Sequence, residues 1–419
     1  MKLSVALVLF ATQLVVSASP VASDDEGLSI PLTKRAQLTT DGIVDLTAVK
    51  ANLAFAHAKY ERGFRQYRMN VGVDHPLAAG FALTNLTADL TKRDVGEMPL
   101  NEQNGGQLWQ GIITVGTPAQ EYTIDFDTGS SDLFLPAAAC NASCDGHKRY
   151  DPTNSSTSQS RELTFRLRYG DGSTVSGDQY NDTVGIGILN AINQALGAAT
   201  VYSGFDKNQF PPDGLMGMAY RSIAVLDADP VVQTLIAQGK TTDPVFAFKL
   251  TSVGAELSVG SINNTLYTGD FTQVPVTRQA YWEVNMDGIL INATQVVDQR
   301  SAIIDTGTTL VIGDPKGVQS LWDSVPGAKN ASETIGLPGF YTFPCDPPPR
   351  IEFIFGCKAF LLSPKTYNLG RVSAGSPDCV GGIVAQSGLS FWAVGDVFLQ
   401  NVYTSFDFGS NSVGFADLA

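Results

Sequence analysis

The stretch Tyr122-Thr-Ile-Asp-Phe-Asp-Thr-Gly-Ser-Ser131 is repeated, nearly unchanged, at Ser301-Ala-Ile-Ile-Asp-Thr-Gly-Thr-Thr309. In each copy apolar residues lead into Asp-Thr-Gly-Ser/Thr. This pattern predicts a short buried strand that ends in a glycine turn and presents one carboxylate, Asp127 or Asp305. Two such units predict two related halves that face each other.

The two carboxylates suggest a specific chemistry. A carboxylate at the end of a buried strand is costly unless it is paired or takes part in a reaction. If the halves meet about a pseudo-twofold axis, Asp127 and Asp305 lie side by side and share one proton over a broad acidic range. One then acts as a general base on a water molecule and the other as a general acid on an amide carbonyl. This arrangement predicts peptide hydrolysis without a metal or a covalent intermediate.

The residues after each aspartate have expected supporting roles. The glycine lets the backbone approach the carboxylates and offers an N–H donor, and the next Ser or Thr hydroxyl can bond an outer carboxylate oxygen. The first Thr of each turn points the other way, where its hydroxyl can bond across the two turns. The six supporting residues are Thr128, Gly129, Ser130, Thr306, Gly307 and Thr308.

The doubled Asp-Thr-Gly motif resembles that of the pepsin-like aspartic proteases, and the resemblance covers about Gly106 to Ala419. A proton shared by two aspartates is a known property of this family. The resemblance implies an all-β, bilobal fold: a pepsin-like double β-barrel with pseudo-twofold symmetry and a central active-site cleft. It also implies an aspartic endopeptidase.

Composition supports this interpretation. The chain has 43% hydrophobic residues, 41 glycines and 16% charged residues, which is typical of a large core with many turns. Its net charge of −14 argues against a nucleic-acid partner. Of three histidines, His57 and His75 lie in a segment that we expect to be removed, and His147 is expected to be solvated. A Ser-His-Asp triad and a histidine zinc site are therefore disfavoured, and we expect no metal and no cofactor.

All five cysteines follow the first 139 residues. Cys140 and Cys144 are close enough to close a small loop, and Cys345 with Cys379 would close a longer one. Both pairings match the positions that the family resemblance implies. Cys357 is left over, and we interpret it as a free, buried, inert thiol; an intermolecular bridge is the alternative.

The N-terminal residues predict export and processing. Residues 1–18 have the lysine, apolar run and small residues of a signal peptide. Residues 19–93 carry nine basic and eight acidic residues ahead of an acidic body, which indicates a pro-segment held by charge attraction. Cleavage after Lys92-Arg93 would leave an N-terminal lobe at 94–267 and a C-terminal lobe at 268–419.

Within the pro-segment, Val49 to Tyr60 has a helical pattern. Lys59-Tyr60 resembles the inhibitory lysine-tyrosine pair of the family. Our hypothesis is that the Lys59 ammonium lies between the two aspartates until acid protonates them. The alternative is a solvated helix face.

A strictly alternating run, Leu163 to Tyr169, precedes the turn Gly170-Asp-Gly-Ser173 and predicts a hairpin. Its position resembles the family's flap, which implies that Tyr169, Gly170 and Asp171 contact substrate. Asp171 resembles a residue of fungal members that admits lysine in the first specificity pocket. The tryptophan that bonds the flap tyrosine in many relatives is replaced by Phe134, which has no donor.

Two further residues near the aspartates have expected roles. Asp125 shares the strand face of Asp127, so it is expected to perturb the pair or accept a bond at its edge rather than to be catalytic. Leu215, in a stretch echoed at Phe391 to Phe398, is expected to fill the core and to line a substrate pocket.

We therefore expect a monomeric enzyme made as an inactive precursor, with proteins and peptides as substrates and its own pro-segment as inhibitor. Extracellular secretion is favoured over a vacuolar location, and no membrane attachment is expected. Two rivals remain: a non-catalytic relative that binds peptides, and a glycosidase with two carboxylates. Sequons that suggest glycosylation occur at Asn85, Asn141, Asn154, Asn181, Asn263, Asn292 and Asn330.

Overall fold

The structure is a computed structural model that describes residues 28–35, 38–81, 108–168, 174–205, 207 and 210–419. The predicted signal peptide, the Lys92-Arg93 site and the flap residues Tyr169, Gly170 and Asp171 lie outside the described residues. None of the helices in the described ranges combines the length and apolar character that a membrane span needs.

The described part of the predicted pro-segment forms four short strands and one long helix. These are β1 (Leu28–Pro31), β2 (Thr33–Arg35), β3 (Thr39–Thr40), β4 (Ile43–Val44) and α1 (Leu46–Val71), and a 3-10 helix follows at Pro76–Gly80.

Within the described residues, the first half of the body contains seven strands before its short helix and two strands after it. Its elements are β5 (Leu108–Val115), β6 (Gln120–Asp127), β7 (Leu133–Pro136), β8 (Gln159–Arg168), β9 (Thr174–Ile186), β10 (Leu189–Ser203), β11 (Gly214–Gly217), α2 (Val231–Ala237), β12 (Val245–Lys249) and β13 (Glu256–Val259).

The second half is also built mainly of strands. Its elements are β14 (Tyr267–Gln279), β15 (Trp282–Met286), β16 (Gly288–Ile291), β17 (Thr294–Val297), β18 (Arg300–Ile304), β19 (Val311–Gly313), α3 (Pro315–Asp323), β20 (Lys329–Asn330), α4 (Ala331–Ile335), β21 (Tyr341–Pro344), β22 (Ile351–Phe355), β23 (Lys358–Leu361), α5 (Pro364–Tyr367), β24 (Asn368–Arg371), β25 (Asp378–Gly381), β26 (Ile383–Ala385), β27 (Trp392–Val394), α6 (Asp396–Leu399), β28 (Val402–Asp407) and β29 (Ser412–Leu418).

The two halves repeat one strand arrangement around the aspartates. In the first half β6 runs parallel to β11, β11 antiparallel to β7, and β7 parallel to β10. In the second half β18 runs parallel to β27, β27 antiparallel to β19, and β19 parallel to β26. Asp127 ends β6 and Asp305 follows β18, so each carboxylate leaves its half at the equivalent point. This repetition confirms the predicted all-β, bilobal, pseudo-twofold fold. The predicted lobe boundary at 267/268 falls at the start of β14.

The pro-segment is anchored on both halves. Strand β1 pairs with β13, β2 pairs with β5, and β4 lies beside β24. Helix α1 is longer than the predicted stretch: it starts after Asp45, whose side chain accepts the N–H groups of Thr47 and Ala48, and it ends at Gly72, with φ of 83°. The strands that precede α1 therefore fix its N-terminal end to both halves.

Two cysteine pairs form and two expectations are wrong. The disulfides join Cys140 to Cys144 and Cys345 to Cys379, as predicted. Cys357 is free but exposed rather than buried, because it lies at the hairpin tip between β22 and β23, with φ of 66°. A residue at such a tip points away from both sheet faces.

His147 is the second expectation that the structure corrects. We expected a solvated side chain, but it is buried, and its Nε2 lies 2.9 Å from the carbonyl oxygen of Phe205. Its ring packs edge-on to that of Tyr202. Its polar sequence neighbours Asp145 and Lys148 are exposed, so local composition does not indicate the burial of His147.

The two disulfides should contribute unequally to stability. Replacing Cys345 and Cys379 with alanine opens a loop of sequence separation 34, whereas replacing Cys140 and Cys144 opens one of separation 4. From loop-closure entropy we expect losses of about 4 and about 2 kcal/mol, respectively. Urea unfolding of the purified precursor measures both. Equal losses, or a larger loss for the short loop, would contradict this expectation.

Candidate active site

Each aspartate is held by its own turn. Asp127 Oδ1 accepts the N–H of Gly129 at 2.8 Å, and Oδ2 accepts the hydroxyl of Ser130 at 2.6 Å. Asp305 repeats the pattern: Oδ1 accepts the N–H of Gly307 at 2.9 Å, and Oδ2 the hydroxyl of Thr308 at 2.7 Å. The list of donors is thus the same in both halves. Such bonds fix the carboxyl planes and favour the ionised form.

The two turns are locked to each other by the first threonine of each motif. The Thr128 N–H donates to Thr306 Oγ1 at 3.1 Å, and the Thr306 N–H donates to Thr128 Oγ1 at 3.0 Å. Each hydroxyl then donates to a backbone carbonyl of the opposite half, Ile304 at 2.9 Å or Phe126 at 2.7 Å. Both threonines are fully buried. This symmetric set of four bonds sets the distance between the halves.

Glycine is required where the turns meet. A Cβ atom on Gly129 would lie 2.5 Å from the carboxyl carbon of Asp305, and one on Gly307 would lie 2.2 Å from Asp127 Oδ1. These separations are shorter than real Cβ contacts. Each glycine therefore packs directly against the aspartate of the other half.

The two carboxylates come together around one residue of α1. Lys59 Nζ lies 3.1 Å from Asp127 Oδ1 and 2.7 Å from Asp305 Oδ2, and it also donates to Asp305 Oδ1 at 2.9 Å. Tyr60 donates its hydroxyl to Asp305 Oδ2. Lys59 and both aspartates are at most 1% exposed. Two acids that a single ammonium reaches in this way lie side by side.

The charged groups of this cluster shift one another's pKa values. Burial by itself would lower the pKa of Lys59, but the charges of Asp127 and Asp305 raise it instead. Burial would raise the pKa of Asp305, yet the Lys59 charge and the bonds from Lys59, Tyr60 and Thr308 lower it. Burial and the neighbouring Asp305 charge leave the pKa of Asp127 raised, although Lys59 opposes this. Asp305 is therefore the firmly ionised partner of Lys59, and Asp127 takes up a proton first as the pH falls.

Asp125 is a third buried acid near the pair. It is 2% exposed, and its Oδ1 has no hydrogen-bond partner within the described residues. Burial, followed by the charge of Asp127, raises its pKa well above the ordinary value. Across the strand pairing it lies opposite Gln110, which is also buried. Asp125 thus lies next to the pair as a third buried acid with a raised pKa, and it makes no contact with Lys59 Nζ among the described bonds.

Beside the pair, α1 packs on an apolar group that includes Leu215. The group contains Phe134, Phe205 and Leu215 of the body, and Ala58 and Phe55 of α1 pack with it. The rings of Phe55 and Phe205 lie 6.1 Å apart, edge to face. Leu215 lies on β11, opposite Phe134 of β7 and beside Asp125 of β6, two residues before Asp127.

Sequence reasoning missed the residues that receive α1 on the other side. The hydroxyl of Tyr281 donates to the carbonyl of Tyr60 at 3.3 Å, and the rings of Tyr281 and Phe391 contact the Tyr60 ring edge-on. Asn52 also donates to Thr309 Oγ1 at 3.2 Å. Isolated aromatic and amide residues give no pattern in a sequence, so only the fold reveals these contacts.

The described side chains around the two aspartates are not those of a metal site. No group of three His, Cys, Asp or Glu side chains within the described ranges is arranged to hold a metal ion. The residues that surround the carboxylates are instead hydroxyl, amide and ammonium donors.

Comparison with known proteins agrees with this geometry. The family model for eukaryotic aspartyl proteases matches residues 109–418. The chain is 43% identical over 330 residues to an aspartic protease of Phaffia rhodozyma, covering 78% of this chain and 80% of that protein. It is 34% identical over 336 residues to cathepsin D of Dictyostelium discoideum, covering 76% and 85%. It is 32% identical over 334 residues to pepsin A of Sus scrofa, covering 78% and 85%.

The chain therefore belongs to the eukaryotic aspartyl protease family, and it is an aspartic-type endopeptidase. Family membership also decides against the glycosidase alternative.

The crossed threonine bonds can be tested directly. Thr128→Val keeps the side-chain shape but leaves the Thr306 N–H and the Ile304 carbonyl unpaired in a buried site. We expect this change to lower the free energy of unfolding by roughly 3 kcal/mol, because each orphaned buried group costs about 1–3 kcal/mol. Thr128→Ser retains the hydroxyl and should cost less. Denaturant unfolding of both precursors measures the difference, and equal stabilities would rule out the proposed lock.

Proposed function

We propose that the chain is an exported acid endopeptidase, made as an inactive precursor, in which Asp127 and Asp305 are the catalytic residues. The observation that carries this proposal is that Lys59 of the pro-segment reaches both carboxylates at once. An ammonium between the acids occupies the place where a water molecule must be activated. The same contact thus supports both the proposed catalytic pair and the proposed means of its inhibition.

Once Lys59 has left, the pair is expected to hold one proton. Two acids this close cannot both ionise without a neighbouring cation, so one remains protonated over an acidic range. The ionised acid removes a proton from water, which attacks the peptide carbonyl carbon, and the protonated acid donates to the carbonyl oxygen. The proton gained by the base then passes to the amide nitrogen as the C–N bond breaks, and a hydroxyl of the tetrahedral intermediate returns its proton to the other acid, so that the pair again holds one proton. The bonds from the glycines, Ser130 and Thr308 hold both acids in place throughout.

The path of α1 indicates where substrate binds. Its side chains Phe55 and Ala58 occupy the apolar group around Leu215, while Tyr60 packs against Tyr281. In the mature enzyme, large apolar side chains of a protein or peptide substrate would take these places. The flap residues Tyr169, Gly170 and Asp171 complete this proposal, together with backbone contacts at Gly307 and Thr308.

Processing and location complete the proposed function. The signal-like residues 1–18 and the two disulfides support export into an oxidising compartment, extracellular or, as the alternative, vacuolar. Removal of residues 19–93 after the Lys92-Arg93 site would free the cleft. We further propose that the enzyme acts as a monomer and carries glycans on some of its sequons.

Replacing either catalytic acid should abolish turnover. Asp127→Asn and Asp305→Asn remove the base or the acid, and we expect a loss of at least ~1000-fold in kcat at acidic pH. Asp323→Asn, at the exposed end of α3, is the matched control and should keep full activity. A casein digest with the processed enzyme measures all three. Substantial turnover in either active-site variant would refute the catalytic assignment.

Removing the ammonium should weaken latency. In Lys59→Met the side chain remains apolar and long, but the charge between the acids is lost. We expect the precursor to cleave a peptide substrate, or to bind a statine-type inhibitor, at a higher pH than the wild type. Lys50→Met is the control, since Lys50 lies on the exposed face of the same helix. Unchanged latency of Lys59→Met at neutral pH would reject the inhibitory role.

The pH dependence of inhibition follows from the pKa of Asp305. Because this pKa is lowered in the precursor, the ion pair with Lys59 is fully present above the ordinary aspartate range and is lost only as the pH falls below it. We therefore expect activity of the processed enzyme to be greatest at acidic pH and the precursor to stay closed near neutral pH. Activity assays of both forms across pH measure this. A precursor that opens as the pH rises would contradict this expectation.

A further inference from the structure

His75, in the pro-segment beyond α1, is a buried titratable group that the proposed mechanism does not use. Its side chain is 0% exposed, and it lies against the second half of the body. We infer that His75 is an acid-sensitive latch that fastens the end of the pro-segment to the C-terminal lobe when neutral and loosens it when protonated. This inference rests on the proposed role of the pro-segment as inhibitor and adds the residue that begins its release.

The hydrogen bond that the His75 ring accepts requires the neutral ring. His75 caps the 3-10 helix Pro76–Gly80, and its Nδ1 accepts the N–H of Leu77 at 3.3 Å. Its Nε2 lies 3.5 Å from Glu283 Oε2. The neutral tautomer with hydrogen on Nε2 leaves Nδ1 able to accept from Leu77, whereas neither Nε2 nor Glu283 Oε2 has a hydrogen-bond partner within the described residues. Protonation would place a second N–H on Nδ1, directly against the N–H of Leu77, so the cap would be lost.

The surroundings of the ring are mainly aromatic. Ring centroids of Phe64, Tyr67 and Tyr281 lie 5.1, 4.9 and 6.2 Å from that of His75. Phe64 and Tyr67 belong to α1, whereas Tyr281 precedes β15 of the body. A charged imidazolium in such a site has lost most of its hydration.

Two charged groups of the body face this site, and they act in opposite directions. Glu283 on β15 favours a charged ring, but its Oε1 already accepts the Ser301 hydroxyl at 3.2 Å, and burial raises its own pKa. Arg278 on β14, which donates to the Tyr67 hydroxyl at 3.5 Å, opposes a charged ring. Burial, followed by the Arg278 charge, lowers the pKa of His75 to about 4. The other titratable groups at the ring are the phenols of Tyr67 and Tyr281, which are neutral in acid.

The direction of the pKa shift of His75 favours release of the pro-segment in acid. A free histidine has a pKa near 6.5, whereas docked His75 has a pKa of about 4. Neutral His75 therefore stabilises the docked pro-segment fully at pH values above the free pKa. This stabilisation is lost progressively as the pH falls towards the docked pKa of about 4. This range lies above that in which Asp305 releases Lys59, because the pKa of Asp305 is lowered below 3.8. His75 would thus respond before Asp305 gives up its ion pair with Lys59.

The position of the latch connects it to the blocked acids. The 3-10 helix that His75 caps brings Gly80 so close to Gly388 that a Cβ atom at Gly80 would meet the Gly388 carbonyl oxygen at 1.5 Å. Phe81, just beyond, contacts the rings of Phe64 and Phe391, and Phe391 also contacts Tyr60. Loosening this turn removes packing from the face of α1 that carries Tyr60 and, next to it, Lys59.

The test uses the full-length precursor and a fluorescein-labelled statine-type inhibitor, whose binding reports an open cleft. Binding is measured across pH and normalised to that of the processed enzyme. In His75→Asn the Asn oxygen can still cap Leu77, but the group no longer titrates. We expect the pH of half-opening to fall by roughly one pH unit relative to wild type. His75→Ser provides a second non-titrating cap if the Asn variant folds poorly.

His57→Asn is the matched control. His57 is the other histidine of the described pro-segment; it stacks on Phe81 at 4.9 Å, is partly exposed and caps no helix. Its replacement should move the midpoint less than that of His75 does. An unchanged midpoint in both His75 variants, or an equal shift in His57→Asn, would overturn the latch. A wild-type precursor that binds the inhibitor fully at neutral pH would instead overturn the proposed inhibition by the pro-segment.

Discussion

Two carboxylates buried against each other are the constraint on which this structure depends. Their mutual repulsion in a buried site must be offset by donors or by a cation. Asp127 and Asp305 each receive an N–H and a hydroxyl from their own turn, and Lys59 supplies the positive charge. On the proposed mechanism, the shared proton of the mature enzyme has the same electrostatic role. The ammonium therefore substitutes for that proton, and the net charge of the site is the same in the precursor and in the enzyme.

This constraint explains the architecture around the acids. Neither half can form the site alone, because Thr128 and Thr306 each bond to backbone groups of the opposite half. The parallel pairs β6–β11 and β18–β27 hold the two turns at equivalent ends of their strands. The predicted pro-segment also contacts both halves. Its strands pair with each half, and α1 places Lys59 between the two aspartates.

Much of the site could be predicted from the sequence because its residues occur in a repeated local motif. The Asp-Thr-Gly-Ser/Thr turns specify their own bonds, and the structure places those bonds where the motif suggests. Lys59 could be proposed only through family resemblance, since a lysine on a helix has no pattern of its own. Tyr281, Glu283 and His75 could not be found, because their contacts join segments that are far apart in the chain.

The two wrong expectations have a common physical cause. Cys357 was placed in the core because free cysteines usually pack as small apolar residues, but its hairpin tip leaves it exposed. His147 was placed in solvent because its sequence neighbours are polar, but the carbonyl of Phe205 gives it a buried partner. In both cases tertiary structure, rather than residue type or local composition, decides exposure.

The most direct test of the central claim is to count the protons on the two acids. Infrared spectra of the precursor with ¹³C-labelled aspartate carboxyls, taken at neutral pH, distinguish carboxylate from carboxylic acid. Signals that change in Asp127→Asn and Asp305→Asn belong to the pair, which separates them from Asp125. The account predicts that both acids are ionised in the wild-type precursor and that one protonated carboxyl appears in Lys59→Met. A protonated pair in the wild type, or identical spectra for the two precursors, would contradict it.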